Sequence, residues 1–268
     1  MSSLHAPDAF APTTEPLRGK CGLVVGVANQ HSIAWACARR LAAAGMELAF
    51  TYQGAAMEDR VRRTVAELGD VPLYPLDVQF DDQLAALADG LSQRWGRLDF
   101  VLHSVAYAPR EALAGSFLAT SREAFRIALD VSAYSLVGLV RALRPLLARG
   151  ASVVTLSYLG AERVVANYNV MGVAKAALEA CVRYLSAELG PEGIRVNAVS
   201  AGPVNTLSAR GIAHFREVLQ VYAERAPLRR SATPEEIADA VLFLASPGSS
   251  GITAEVLHVD GGFHAVAF

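Results

Sequence analysis

The stretch SYLGAERVVANYNVMGVAKAALEA, residues 157–180, follows directly on the apolar run ASVVTL, residues 151–156. A short β-branched run that opens into a segment of helical period reads as a buried strand followed by a helix, the repeating unit of a parallel α/β sheet. Tyr158 closes the strand, at the carboxyl edge where doubly wound sheets bind ligands. Tyr168 and Lys175 stand seven residues apart and are expected within one helix over 167–189. That spacing is two turns less about 20°, which puts both side chains on one face, toward one cleft. A lone tyrosine is ordinarily a packed residue with a satisfied hydroxyl. Lys175, amid GVAKAALEA, is harder to place in a core, because a buried cation demands an anionic or polyhydroxyl partner. Neither tyrosine has a lysine four residues on, so the Y-x-x-x-K spacing is absent.

The alternation continues on both sides of this stretch. Strands are predicted near 22–27, 46–52, 71–76, 98–104, 151–157, 193–199 and 254–259, and helices near 32–44, 55–68, 80–95, 121–148, 167–189, 212–224 and 234–245. Thr120 and Thr233 read as helix N-caps, and Gly45, Gly69, Gly96 and Gly190 as helix exits. With no repeat, low-complexity segment or linker, the expected fold class is α/β: a single-domain, Rossmann-type doubly wound sheet of seven parallel strands over 19–268. Residues 1–18, with Pro7, Pro12 and Pro16, are expected to form a flexible tail.

Composition narrows the function classes. Hydrophobic residues make up 53% of the 268 and charged residues 19%, a balance that suits a sheet buried on both faces and excludes disorder. The net charge of -2 comes without a basic stripe, so nucleic acid is not expected as a partner. Arg60, Arg62, Arg63, Arg229 and Arg230 read as solvated faces. Cys21, Cys37 and Cys181 are odd in number and widely spaced, which fits free thiols in a reducing cytoplasm. The six histidines show no ligand spacing, and no metal site is expected. The start lacks the cationic and apolar blocks of a signal peptide, and charges such as Arg141 and Arg144 interrupt the apolar runs, so no membrane association is expected.

The first strand runs into GVANQHSIAWA, residues 26–36, which lacks the plain G-x-G-x-x-G pattern. Its physical requirements are nevertheless met: Gly26 allows a sharp strand exit, Ala28 allows close backbone approach, and Ser32 with Ile33 starts a helix whose amides can face a pyrophosphate. The alternative is an ordinary glycine turn with an N-cap. The second strand ends in FTYQG, placing neutral Gln53 where an acid would favour NAD and an arginine NADP. The nearest arginine is Arg60, so NADH is expected and NADPH is the lesser choice. Asp77 and Val78 fall beside the expected adenine edge, although Asp77 also suits a helix cap; Ser104, Val105 and Ala106 fall where ribose and nicotinamide would pass.

The blocks GVANQHSIAWA, FTYQ, LDV, HSVAYAP, SYLGAERVVANYNVMGVAKAALEA, SAGPVNTL and HVDGGF follow one another over 19–265, and with them the chain resembles an enoyl-acyl carrier protein reductase of the short-chain dehydrogenase/reductase superfamily. Residues 158–175 match its signature with a Y-x6-K spacing and a second, upstream tyrosine. The resemblance implies a cytoplasmic, NADH-dependent homotetramer that reduces the trans-2 double bond of enoyl-acyl carrier protein, or coenzyme A, thioesters in the last step of fatty-acid elongation. It implies Tyr158, Tyr168 and Lys175 as the catalytic set, with Lys175 on the nicotinamide ribose and Tyr168 on the thioester carbonyl. Cofactor contacts are implied for Gly26, Ser32, Ile33, Gln53, Asp77, Val78, Ser104, Val105, Ala106, Lys175 and Thr206. Substrate contacts are implied for Ala108, Tyr158, Tyr168, Met171, Ile212 and Phe215, with a substrate loop near 202–228. Ala106 departs from the family's usual glycine and is expected to narrow the pocket floor. The alternatives are a divergent reductase acting on a ketone or a specialised enoyl substrate, and a nucleotide-binding module without chemistry.

Overall fold

The computed structural model describes residues 16–204, 206 and 215–266. Seven strands, β1 (Cys21–Val25), β2 (Glu47–Tyr52), β3 (Leu73–Pro75), β4 (Leu98–His103), β5 (Leu147–Ser157), β6 (Arg195–Ala201) and β7 (Val256–Val259), form one sheet in the order β3-β2-β1-β4-β5-β6-β7. Every pair is parallel. The order reverses between β1 and β4, and a crevice opens there at the carboxyl ends of the strands.

Eight helices cover the sheet among the described residues: α1 (Ile33–Ala43), α2 (Ala55–Val65), α3 (Asp81–Trp95), α4 (Arg122–Leu129), α5 (Ser135–Leu143), α6 (Val170–Leu189), α7 (Phe215–Arg225) and α8 (Pro234–Ala245). The strands alternate their side chains between two cores. Val24, Phe50, Phe100 and Val154 pack with Trp35 and Leu41 of α1 and Val241 of α8. Leu23, Val25, Val101 and Val153 pack on the other face with Leu87, Leu139 and Leu178 from α3, α5 and α6. A smaller cluster joins Ala108, Leu113, Ala128, Tyr168 and Met171.

Two expectations about the helices are corrected. The segment 121–148 is not one helix: α4 passes into a π-helical turn at Asp130–Tyr134 before α5, Pro145 sits in a 3-10 turn, and β5 already begins at Leu147. The turn is held by its own polar groups. Ser132 accepts from the Tyr107 N–H (2.9 Å) and donates to the Tyr107 carbonyl (3.0 Å), while Ser135 donates to the Val131 carbonyl (2.6 Å). The added residue shifts the apolar phase by about 100°, but α4 and α5 on either side are too short for that shift to stand out in the sequence pattern. The second correction concerns α6, which starts at Val170 rather than 167.

Capping is partly as expected. Thr233 forms a full capping box with Glu236, but Ser121 rather than Thr120 caps α4. Gly96 takes the left-handed exit of α3, whereas after α6 that conformation belongs to Gly193 and Gly190 stays helical. Leu17, within the stretch expected as a tail, is buried and donates its N–H to the Ala44 carbonyl.

Candidate active site

The residues of interest stand one after another along the carboxyl edge of the sheet. Gly26 follows β1, Gln53 follows β2, Asp77 lies two residues after β3, Ser104 follows β4 and Tyr158 follows β5. Gly26 has φ +106°, and a Cβ there would lie 2.0 Å from the Ser104 carbonyl oxygen. Only glycine lets the two strand ends close together and leaves the turn open to a ligand. Ser32 precedes α1 in extended conformation, but its hydroxyl donates to the Asn29 carbonyl (2.7 Å) and does not cap the helix. Ile33 opens α1 beside it. This cradle of glycine turn and helix start fits the pyrophosphate of a dinucleotide.

At the adenosine end the Gln53 amide donates to an Asp77 carboxylate oxygen (3.0 Å), and the other oxygen accepts from the Gln79 N–H (3.0 Å). Because a carboxylate only accepts, the Gln53 amide nitrogen is committed to Asp77, and its carbonyl oxygen is the group left to accept a further bond. Asp77 precedes α3 by four residues, and Phe80 occupies the cap position, so the cap alternative for Asp77 does not hold. Val78 is half-buried beside it. At the other end Ser104 and Val105 are half-buried and Ala106 is exposed. Thr206 donates its N–H to the Val204 carbonyl (2.7 Å).

The tyrosines and Lys175 converge, but by a route other than a shared helix face. Tyr168 lies in a turn two residues before α6, between Asn167 and Asn169, which both have positive φ. Asparagine is enriched at positive φ, although Asn169, with ψ -121°, lies outside the left-handed well; the turn throws the Tyr168 ring back onto Tyr158, with ring centroids 4.9 Å apart in edge-to-face contact. Gly160 makes room for this: a Cβ there would lie 2.3 Å from the Tyr168 ring. Tyr168 and Lys175 therefore do not share one helix: the seven-residue spacing crosses the start of α6 at Val170. Met171, on the first turn of α6, and Ala108 are buried beside Tyr168. Ile212 and the Phe215 side chain lie outside what is described.

Lys175 is buried and donates to the Leu156 carbonyl (2.7 Å), immediately below the strand end that carries Tyr158. Burial lowers its pKa to about 8, opposed by the Glu179 carboxylate one turn along α6. Glu179 is itself buried and accepts from the Ser157 hydroxyl (2.5 Å), while burial pushes its carboxyl up. The Tyr168 phenol is pushed far above its ordinary range by burial, with Tyr158 and Glu179 adding to the effect. It therefore keeps its proton at any working pH and acts as a donor.

Several residues escape sequence reasoning. His103, at the end of β4, is fully buried between Thr155 Oγ1 (2.8 Å) and Ser135 Oγ (2.9 Å). Ser135 Oγ also donates to the Val131 carbonyl (2.6 Å) and Thr155 Oγ1 to the His103 carbonyl (3.2 Å), so both hydroxyls tie the ring to backbone. Burial lowers the pKa of His103 to about 3, so the ring is neutral. Next to Tyr158 a cavity of about 380 Å³ is lined by Val165, Val218, Tyr222 and Phe263. A wider hollow of about 860 Å³, between α1, α3 and α8, lies among Arg39, Arg40, Glu67 and Asp239, away from this edge. Among the described residues no group of His, Cys, Asp and Glu could hold a metal ion, and no helix is long and apolar enough to cross a membrane.

Comparison with known proteins agrees with this geometry. The family model described as Enoyl-(Acyl carrier protein) reductase matches residues 26–264. The Enoyl-[acyl-carrier-protein] reductase [NADH] FabI of Bacillus cereus is 48% identical over 256 residues, 93% of this chain and 98% of the relative. That of Aquifex aeolicus is 45% identical over 92% of each chain. A crystal structure of the Bacillus cereus enzyme with NADP+ and indole naphthyridinone superposes with a TM-score of 0.93 at 47% identity, covering 95% of this chain and all of that one. The reductase of Anaplasma phagocytophilum in complex with NAD gives 0.91 at 40% identity, covering 96% of each. With a doubly wound sheet, a glycine cradle at its switch point and a Tyr-Tyr-Lys set at the same edge, the chain belongs to the enoyl-(acyl carrier protein) reductase family.

Proposed function

We propose that the protein is an NADH-dependent enoyl-acyl carrier protein reductase, which saturates the trans-2 double bond of an enoyl thioester in the last step of fatty-acid elongation. The observation that carries this reading is the convergence of Tyr158, Tyr168 and buried Lys175 at the edge that also holds the Gly26 cradle. When bound, the reduced nicotinamide supplies the hydride.

The chain's own groups provide placement and charge stabilisation. Tyr168, protonated throughout, donates to the thioester carbonyl oxygen and stabilises the negative charge that gathers there as the double bond is reduced. Lys175 holds the ribose hydroxyls, and its bond to Leu156 ties that grip to the strand carrying Tyr158. Gly26, Ser32, Ile33 and Thr206 take the pyrophosphate side; Gln53, Asp77 and Val78 take the adenosine side; Ser104, Val105 and Ala106 line the nicotinamide side. Tyr158, Ala108, Met171, Ile212 and Phe215 offer the acyl surface, within a substrate loop near 202–228. The acyl carrier protein, a cytoplasmic setting and a homotetramer are part of the same proposal, supported by the family relationship.

The test is oxidation of NADH with crotonyl thioester beside acetoacetyl thioester, with NADPH as the alternative coenzyme. Turnover on the crotonyl substrate alone supports the reading. Turnover on acetoacetyl alone would replace it with carbonyl reduction.

A further inference from the structure

Tyr222 lies on α7, only 2% exposed, with its ring stacked on Phe263 at a centroid distance of 3.9 Å and an angle of 15°. Buried phenols normally have a hydrogen-bond partner, because a desolvated hydroxyl without one is costly. Tyr222 Oη has none. The stack on Phe263 also fixes the ring, so the hydroxyl cannot swing out to water. A phenylalanine would fill the same space without that cost.

The group facing this hydroxyl is Tyr158. Both phenols line the cavity of about 380 Å³ beside the candidate active site. Tyr222 is buried and Tyr158 only half-buried, so a Tyr222 proton directed into the cavity meets Tyr158 Oη, whereas the Tyr158 proton has the open side of the cavity before it. The bond itself is not closed in this structure, as is common for catalytic hydrogen bonds before substrate binds.

We propose that Tyr222 is a positioning residue for the reduction: when an acyl thioester fills the pocket, its hydroxyl donates to Tyr158 Oη. A phenol has one proton, so a Tyr158 oxygen that accepts from Tyr222 has its own proton directed elsewhere, into the substrate pocket. A hydroxyl that accepts one bond also becomes a stronger donor in the next. Tyr222 thereby sets the direction and strength of the Tyr158 donor without touching substrate. This inference rests on the assignment of Tyr158 to the substrate side of the site.

The experiment compares wild type, Tyr222→Phe, Tyr158→Phe and the double variant in steady-state kinetics with crotonyl thioester. Tyr222→Phe keeps the stack, and its kcat/KM for the thioester is expected to fall about three- to tenfold while KM for NADH stays unchanged. In the Tyr158→Phe background the same change is expected to matter less than about twofold. Equal losses in both backgrounds would show a merely structural role and overturn the inference. An unimpaired Tyr222→Phe beside an impaired Tyr158→Phe overturns the inference alone, whereas an unimpaired Tyr158→Phe overturns the Tyr158 assignment with it. Phe263→Leu loosens the ring and keeps the hydroxyl, so it provides a second route: its loss of kcat/KM should disappear when Tyr222 is already Phe, and persistence of that loss overturns the inference.

Discussion

Lys175 Nζ lies 2.7 Å from the Leu156 carbonyl oxygen, two residues before Tyr158, so that the ammonium is fixed to the strand end that presents the substrate-side tyrosine. In the proposed reading cofactor grip and substrate contact therefore share one rigid anchor, yet they belong to different side chains. Tyr168→Phe is expected to lower kcat by about 10²–10³, the cost of one oxyanion donor, with NADH affinity preserved. Lys175→Ala is expected to weaken NADH binding itself. Fluorescence titration with NADH beside single-turnover rates separates the two, and an equal loss of NADH affinity in both variants would refute the division of roles.

The pKa of Lys175, about 8, predicts how cofactor binding follows pH. Bound dinucleotide favours the charged ammonium, so the NADH Kd is expected to rise as pH climbs above about 8, by as much as about tenfold per pH unit. In the cofactor-free protein the sign is opposite. The folded state binds this proton less tightly than the unfolded chain, so the penalty for burying the charge is fully present below about 8 and is relieved between there and the ordinary lysine value of 10.5. Lys175→Met should remove both trends, to be read from Kd and from melting temperature over the same pH series.

Gln53 bonded to Asp77 keeps its carbonyl oxygen as an acceptor, which in the proposed reading suits a 2′-hydroxyl and repels a 2′-phosphate. Gln53→Arg is expected to shift the ratio of kcat/KM values for NADPH over NADH upward by at least about tenfold, the value of one charge-assisted bond. No shift in that ratio would place coenzyme choice elsewhere.

Gly26→Ala should lose both stability and NADH binding. Its Cβ would lie 2.0 Å from the Ser104 carbonyl oxygen at a φ of +106°, a clash with backbone that no rotamer relieves. A destabilisation of about 3 kcal/mol or more is expected by urea unfolding. A variant of wild-type stability would show that the two strand ends can part.

His103 predicts acid sensitivity. Its folded pKa of about 3 lies well below the ordinary histidine value of 6.5, so the unfolded chain takes up the proton first. Stability from this group is complete above about 6.5 and is lost as pH falls toward 3, on the order of 5 kcal/mol in all. His103→Gln should flatten the unfolding midpoint between pH 6.5 and pH 4 relative to wild type; an unchanged slope would assign acid unfolding to the carboxylates.

The alternation of short apolar runs and helical segments was enough to determine seven strands, their parallel direction and the edge at which Gly26, Tyr158 and Lys175 stand, because these depend on burial repeated at short sequence intervals. The blocks around them were enough to point to the family. Tertiary structure alone decided how Tyr168 reaches Tyr158, since that depends on two asparagines at positive φ and on the missing side chain of Gly160. It alone decided the π-helical turn at 130–134, the burial of His103 between β5 and α5, and the meeting of Tyr222 with Tyr158 across 63 intervening positions of chain. Hydrogen bonds and ring contacts of this kind join groups distant in sequence, and periodicity, which records only which way a residue faces within its own element, carries no information about the partner it meets.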